Sequence, residues 1–555
     1  MKSIIIVIIF MSFYAKTWSQ ISEGGYPLSY FHKSKKIAEI PTIYFNAIDH
    51  NELIKEDNLN PNKKKIRFAI SVPSNIDFSK NARIDTIENS VVMRLSLDLN
   101  NSLSSGLGFR KFLLAKDAKM FVYSNDYKDV IGAFTAQNNT RDSIFATIPL
   151  DGNSLTIEIN EPLNSNLRSN FIIDEILHAY KDANSTSCTG FGCSESCEVN
   201  VNCIEAIKYQ EIKKSVVRFI SKDESGSYFC SGTLINNLKR DKTPYILTAE
   251  HNVINEETCQ LPSVSYQSKY LFYFNYESPE CTDPVSDFNL KNQSMTGCTV
   301  VSRSHDCGGN TGSDFCLLKL NVIVPSDYNA SYAGWSRSLI VENTGVAIHH
   351  PAGDLKKISF FKNLESSSYT QITSDTHHKV YWYSTESGYG VTEGGSSGSA
   401  IFNSDFQILG TLTGGYASCS SKSSPDFFGK FSYHWASNGT EPDYRLESWL
   451  DPDNTLALAM NAMNSQGFEL SDNDTTFHQP VIFPNACDGI LNLTFINKPD
   501  VFQLKIYNYI GHWVDTRTVT EQYESIDLNN LINGVYILSF ESREDKFVVK
   551  LVLQK

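Results

Sequence analysis

Apolar residues appear first in a single block at the start of the chain. Ile4 to Phe13 are almost wholly apolar, behind Lys2 and ahead of Thr17-Trp18-Ser19-Gln20. The block is shorter than the ~20 residues a membrane-crossing helix needs. A basic start, a short apolar run and small residues before Gln20 predict a secretory signal peptide over residues 1–19. Residues 20–187 then show short strand-like runs, such as Ala133-Phe134-Thr135-Ala136 and Ser154 to Ile159. Another apolar segment runs from Phe171 to Tyr180, and the polar tract Asp182 to Ser187 follows it. A folded segment followed by a small, polar tract suits a removable pro-segment; an ordinary additional domain is the competing reading.

From residue 188 to about 455 the pattern becomes many short β-runs broken by Gly, Asn and Ser. Val216–Ile220, Tyr228–Ile235, Tyr245–Leu247, Tyr270–Phe274, Gly345–His349, Val380–Tyr383 and Ile408–Leu412 are such runs. This density of short strands predicts an all-β barrel or sandwich unit. Tyr444–Leu450 reads as a short helix ended by Asp451-Pro452. Residues 456–479 read as a linker, polar at Ser471 to Thr476. In residues 480–555, alternation in Leu491–Phe495, Phe502–Tyr507, Gly534–Leu538 and Phe547–Leu553 predicts a small β-sandwich.

Composition narrows the function class. The net charge of -14 argues against nucleic acid as a partner. Of the twelve cysteines, none precedes Cys188 and only Cys487 follows Cys419. After a signal peptide, this clustering predicts disulfides in one oxidised domain. Cys188, Cys193, Cys197 and Cys203 lack the paired spacing of zinc modules, so no metal and no cofactor is expected.

The chemistry lies in three segments, each beside an apolar β-run: Thr248-Ala249-Glu250-His251, Ser313-Asp314-Phe315, and Gly394 to Ala400. A hydroxyl becomes a useful nucleophile only when a base takes its proton and a carboxylate orients that base. His251, Asp314 and Ser397 supply these groups in the chain order of one known triad architecture. Ser397 lies in a Gly-rich bend that runs into Ala400-Ile401-Phe402. The backbone N–H groups of Gly395 and Ser397 are candidate oxyanion donors, each worth about 2.7–4 kcal/mol in a transition state. Asp314 enters a buried apolar strand, which is costly without a partner such as the His251 imidazole. The remaining histidines, including His349, His350, His377, His378 and His434, read as structural or surface residues.

These segments, with Cys230-Ser231-Gly232-Thr233-Leu234-Ile235, resemble trypsin-like serine endopeptidases. The chain is more closely similar to the bacterial lysyl endopeptidases, through Ser196 to Cys203, Ala333-Gly334-Trp335, Ala347 to Pro351, Gly390 to Glu393, Leu412 to Gly415 and Ser448 to Pro452. The resemblance implies a mainly β, chymotrypsin-like double β-barrel of two six-stranded antiparallel barrels with the triad between them. It implies hydrolysis of protein or peptide substrates after lysine, by a secreted enzyme made as a zymogen and expected to be monomeric. Trypsin carries its lysine-binding aspartate six positions before the serine, where Val391 stands here. The resemblance transfers that role to Asp426, with Glu393 at the pocket border and Thr413, Gly414 and Gly415 along the substrate strand. It also implies Cys197–Cys419 and Cys203–Cys281 bridges. Two positions depart from the family pattern. Asn252 stands where a cysteine commonly follows the catalytic histidine, which leaves Cys230 to pair elsewhere, with Cys259 for example, or to remain free. Thr413 replaces a triad-supporting histidine of some members. An inactive surface-binding homologue, or a protease of other specificity, is the alternative reading.

The C-terminal unit resembles the sorting domain of type IX secretion substrates. The resemblance rests on Phe483-Pro484-Asn485-Ala486, Ile506-Tyr507-Asn508 with Gly511, Ile526-Asp527-Leu528, Gly534 to Leu538 and Lys550-Leu551-Val552. It implies the type IX machinery as a partner and export across both membranes of a Gram-negative bacterium. A substrate-binding β-module is the rival.

Overall fold

The computed structural model describes residues 22–32, 39–59, 64–181, 188–287, 290–470, 481–483, 487–494, 501–521, 523–541 and 546–555. The signal peptide, the tract 182–187, the Ser471–Thr476 stretch and Pro484-Asn485-Ala486 lie outside them. Among the described residues, no helix is long and apolar enough to cross a membrane.

The described chain is mainly β. In the N-terminal part, one sheet orders Thr42–Tyr44, Ser90–Asp98, Ser154–Pro162, Lys119–Ser124 and Val130–Phe134, with Arg83–Ile87 also paired to Ser90–Asp98. A second places Asn170–Ala179 between Arg67–Asp77 and Ser104–Leu113. Their facing apolar residues, including Leu95, Leu97, Ile157, Phe109, Phe171 and Ile173, form one core.

This second sheet does not stop at the polar tract. Arg67–Asp77 also pairs with Gly226–Ile235, through Ala69↔Ser227 and Arg67↔Tyr228. The strand Gly226–Ile235 is therefore flanked by Val216–Asp223, Tyr245–Thr248 and the N-terminal segment. Every residue of Val216–Asp223 and Gly226–Ile235 is buried. That explains the continuous apolar and small residues of Gly226–Ile235, where a half-exposed strand would alternate, whereas the charged Arg218, Lys222 and Asp223 of the other strand are buried with the Gly353 carbonyl, Glu175 and Lys65 as partners. Tyr245–Thr248, Cys316–Leu320 and Cys298–Arg303 continue the sheet, and Leu271–Phe274 borders Val216–Asp223.

The following strands close on themselves. Thr344–His349, Lys357–Ser367, His377–Tyr383, Asp426–Lys430, Gln407–Gly415 and Ala400–Phe402 pair in that order, and Ala400–Phe402 returns to Thr344–His349. This six-stranded ring has its own filling of Ala347, Val380, Trp382, Val391, Ile401 and Phe428. A separate core joins the ring to the preceding sheet. It packs Leu247, Phe315 and Leu317 from the sheet with Val346, Ile348 and Ala400 from the ring. The three chemical segments emerge at this junction.

Four disulfides are present: Cys188–Cys193, Cys197–Cys419, Cys203–Cys281 and Cys259–Cys307. Cys230, Cys298, Cys316 and Cys487 are buried free thiols. Cys259 thus pairs with Cys307 and not with Cys230. Farther along, Ile490–Thr494 and Tyr523–Asp527 belong to one small sheet, and Phe502–Asn508, Trp513–Val519, Gly534–Glu541 and Lys546–Leu553 to another. Leu491, Leu493 and Ile526 share a core with Leu504, Ile506 and Leu538.

Candidate active site

His251 sits in a single 3-10 turn, Glu250–Asn252, just past the strand Tyr245–Thr248. Asp314 immediately precedes the strand Cys316–Leu320 by one residue, Phe315, and takes a left-handed φ of 56°. These strands are hydrogen-bonded neighbours, with Thr248 opposite Cys316. That register brings the aspartate to the histidine. Asp314 accepts from the His251 backbone N–H at 3.0 Å and lies 2.7 Å from its Nδ1 through the other oxygen. Both side chains are buried. Burial alone would raise the Asp314 pKa, but the His251 imidazole and the Lys64 ammonium hold it at about 2. A fixed carboxylate at Nδ1 makes Nδ1 the protonated nitrogen and leaves Nε2 as the basic one. His251 Nε2 has no hydrogen-bond partner among the described residues.

Two carboxylates that the sequence reading did not single out hold this pair in place. Buried Glu250 accepts from Arg303 Nη1 and from the backbone N–H groups of Asp306 and Gly308 at 3.0 and 3.1 Å. Burial, reinforced by Asp306, pushes its pKa up to about 8. Asp306 accepts from the Asp314 backbone N–H at 2.9 Å and from Gly309 N–H at 2.9 Å. The only sequence signal for them was their closeness to the histidine and aspartate segments.

Ser397 lies in a bend tied down on both sides. Ser231 Oγ donates to the Gly395 carbonyl at 2.9 Å, and Ala352 N–H to the Gly394 carbonyl at 2.6 Å. Ser396 Oγ is 2.8 Å from His349 Nδ1. Gly395 has φ 92° and Gly398 φ 80°. A Cβ on Gly398 would lie 2.1 Å from Thr248 Oγ1 and 2.7 Å from the Ala249 nitrogen, so only glycine lets the serine bend meet the histidine turn. The backbone N–H groups of Gly395 and Ser397 donate no hydrogen bond to the described residues. No Ser397 Oγ–His251 Nε2 hydrogen bond is formed. Such bonds often tighten only with substrate bound.

Asn252 fills the place of the family cysteine. Its Nδ2 donates to the Ser397 carbonyl at 2.8 Å and to Thr248 Oγ1 at 2.9 Å. A side-chain brace therefore links the histidine turn to the serine bend, while Cys230 stays reduced. Thr413 Oγ1 lies 3.0 Å from His377 Nε2, and His377 Nδ1 is 2.7 Å from Thr376 Oγ1. A Cβ built on Gly309 would meet Thr413, Asp314 and His377 together. His377, expected to be merely structural, is thus packed behind the aspartate, brought there by the ring strand His377–Tyr383. Burial lowers its pKa to about 4, so at neutral pH it acts as a neutral hydrogen-bonding group.

Asp426 opens the ring strand Asp426–Lys430, opposite Gly415 and Val380. It is buried, accepting from Trp382 Nε1 and Thr392 Oγ1 at 2.7 Å each and from Ala417 N–H at 3.1 Å. Burial raises its pKa, against these hydrogen bonds. A Cβ on Gly415 would overlap its carboxylate, so the bare strand Gly414-Gly415 lets the aspartate approach. Glu393 Oε1 accepts from Glu195 N–H at 3.0 Å. It neighbours fully buried Glu198, whose pKa burial and Glu393 push well up.

A buried histidine–aspartate pair and a braced serine bend thus lie between a closed six-stranded ring and a second sheet, the arrangement that a serine hydrolase of the triad type needs. Residues 191–429 match the family model described as lysyl endopeptidase, C-terminal domain, and this domain is related to that enzyme. The chain is 30% identical over 308 residues to a lysyl endopeptidase of Pseudomonas aeruginosa. That alignment covers 51% of this chain and 60% of the relative, so the chain spans well under the full length of that protein. Residues 481–554 match the family model described as secretion system C-terminal sorting domain. Among solved structures, a thermostable serine protease from an extremophilic microorganism is 13% identical (TM-score 0.30), covering 42% of this chain and 96% of its own. A protease from Arthrobacter nicotinovorans is 16% identical (TM-score 0.27), covering 39% and 90%.

Proposed function

We propose that the protein is a secreted serine endopeptidase that cuts after lysine. Ser397 attacks the carbonyl carbon, and His251 takes its proton at Nε2 and passes it to the leaving amine. Asp314 holds His251 in the required tautomer and balances the imidazolium charge. Gly395 and Ser397 N–H groups receive the oxyanion. The observation that carries this reading is the 2.7 Å His251–Asp314 contact with Nε2 left unpartnered. Asp426 is read as the base of the lysine pocket, where a carboxylate attracts an ammonium strongly, with Glu393 at its edge and Thr413-Gly414-Gly415 pairing with the substrate backbone.

In this reading the ring and the preceding strands are the two barrels of residues 188–455. Residues 20–187 are a pro-segment, 456–479 a linker, and 480–555 a sandwich that addresses the protein to the type IX machinery. Maturation falls within about 181–187. Lys181 is buried and its Nζ is 2.6 Å from Asp57, so cleavage after it first requires that pair to open. The N-terminal sequence of the secreted protein tests this; a mature start at Gln20 contradicts it.

A second reading, another specificity, is favoured by the full set of hydrogen bonds already on Asp426. A mixed peptide library, cut by wild type and by Ser397→Ala, tests both. Cleavage after lysine by wild type alone supports the proposal. Cleavage elsewhere supports the second reading. No cleavage supports an inactive homologue, and activity in the variant requires another nucleophile.

A further inference from the structure

Residues from far upstream pack against both the serine and the histidine segments. Ile66 packs so closely on Gly394 that a Cβ there would lie 2.0 Å from Ile66 Cδ1. Gly394 is three residues before Ser397. One step later the chain enters the sheet through the Arg67↔Tyr228 pair. On the other side, Lys64 Nζ donates to the Gly308 carbonyl and lies 4.2 Å from the centre of the Tyr369 ring. Gly308 borders His251, since a Cβ on it would be 2.9 Å from His251 Cβ. Tyr369 in turn covers Gly414 on the strand read as pairing with substrate. Residues 64–67, bent at Lys64 and Lys65 and entering the strand at Arg67, thus reach from the histidine side of the site to the serine bend.

Neither lysine reaches Asp426. Lys65 enters a buried notch, where its Nζ is 2.9 Å from Asp223 Oδ2 and 2.7 Å from the Ile254 carbonyl. The same ammonium lies 4.2 Å from the centre of the Tyr228 ring, whose hydroxyl donates to Asp223 Oδ1 at 3.1 Å. Glu256 accepts from the backbone N–H groups of Lys64 and Lys65 at 3.2 and 3.0 Å. Asp223, the Ile254 carbonyl and the Tyr228 ring therefore hold the Lys65 ammonium, while Glu256 holds the backbone beside it.

We propose that Asp223, the Ile254 carbonyl, the Tyr228 ring and Glu256 form a lysine-binding notch beside the catalytic cleft. Through it, Lys64–Arg67 is held across the cleft as an intramolecular inhibitor. Substrate is excluded because the backbone and Ile66 lie against the serine and histidine segments. The strap is not cut because its lysines are drawn to Asp223 and to Gly308 and away from the pocket. Other basic peptides are the class of ligand that would compete for the notch. The inference rests on the reading of Ser397 as nucleophile.

The test uses uncleaved full chain, selected by intact mass, as wild type, Lys65→Ala and Asp223→Asn. Two rates are read by mass mapping: labelling of Ser397 by a fluorophosphonate probe, and acetylation of Lys65 by an activated acetate ester. In wild type, Lys65 should acetylate roughly tenfold or more slowly than exposed Lys128. Asp223→Asn should release Lys65, and both variants should label Ser397 roughly tenfold or more faster than wild type. Lys65 reacting as fast as Lys128 in wild type overturns the notch. Measurable Ser397 labelling at the same rate in all three chains overturns the inhibition. A protected Lys65, released in Asp223→Asn, with Ser397 unlabelled in every chain, upholds the notch and overturns the nucleophile instead.

Discussion

Asn252→Leu tests whether the side-chain brace between the histidine turn and the serine bend sets the reaction geometry. Leucine keeps the approximate volume and removes both donors. Two buried hydrogen bonds disappear, at 2.8 Å to the Ser397 carbonyl and 2.9 Å to Thr248 Oγ1. At about 0.5–1.5 kcal/mol each, their loss costs about 1–3 kcal/mol. Asn252 Oδ1 is itself buried with no partner among the described residues, and removing such an atom returns about 1–3 kcal/mol. The Ser397 carbonyl keeps the Ser231 N–H at 3.0 Å, so no acceptor is stranded there. The stability change is therefore within about 2 kcal/mol of zero. The rate should change more, since a displacement of about 1 Å costs on the order of a hundredfold. Steady-state kinetics on a lysyl peptide and urea unfolding of the same preparation read both quantities. We expect kcat to fall roughly ten- to a hundredfold at nearly unchanged stability. A kcat within about twofold of wild type, or a loss that simply follows unfolding, refutes the reasoning.

Three further outcomes follow from the same geometry. Asp426→Asn keeps acceptors for Trp382 and Thr392 but removes the charge, and it should lower kcat/KM for lysyl peptides by at least about a hundredfold; unchanged lysine preference would remove Asp426 from the pocket. Thr413→Val breaks the contact to His377 behind Asp314, and kcat should fall several-fold with KM unchanged; a change confined to KM would place His377 outside the catalytic support. Burial, with help from Lys357, lowers the His349 pKa to about 3. The unfolded chain, near 6.5, then binds more protons than the folded one between about pH 3 and 6.5, so this histidine's contribution to stability is complete above pH 6.5 and lost as pH falls. Urea unfolding should show His349→Gln gaining on wild type by about 1.4 kcal/mol per pH unit on acidification below 6.5; a constant difference would contradict neutral burial.

Much of this was legible because the chemistry lies beside strong local signals. Gly394 to Ser399 and the strand after it mark the serine bend, and the apolar Phe315–Leu318 run makes Asp314 conspicuous as a carboxylate entering a buried strand. What was not legible depended on contacts between distant segments. Nothing local marks Glu250 and Asp306, because their partners meet only when the 303–309 segment folds back against the histidine turn and Asp314. His377 gains its place only because the strand Asp426–Lys430 lies between its own strand and Gln407–Gly415, so that its side chain reaches Thr413 across Gly429. Nothing local in Lys64-Lys65-Ile66-Arg67 indicates that this stretch meets Gly308 and Gly394, since that depends on the Arg67↔Tyr228 pairing. Asn252 was visible as a departure from the family pattern, but its compensating hydrogen bonds were not.

In the proposed mechanism the substrate's acyl group is transferred to Ser397 while the bond to its amine or alcohol breaks, with His251 carrying the serine proton to that leaving group. Rapid quenching of the reaction with a slow lysyl ester, followed by peptide mapping, examines it directly. The account predicts a lysyl-acyl adduct on the peptide holding Ser397, formed in wild type and sharply reduced in His251→Ala. Turnover of the ester without an adduct on Ser397, or an adduct that forms equally well without His251, would contradict it.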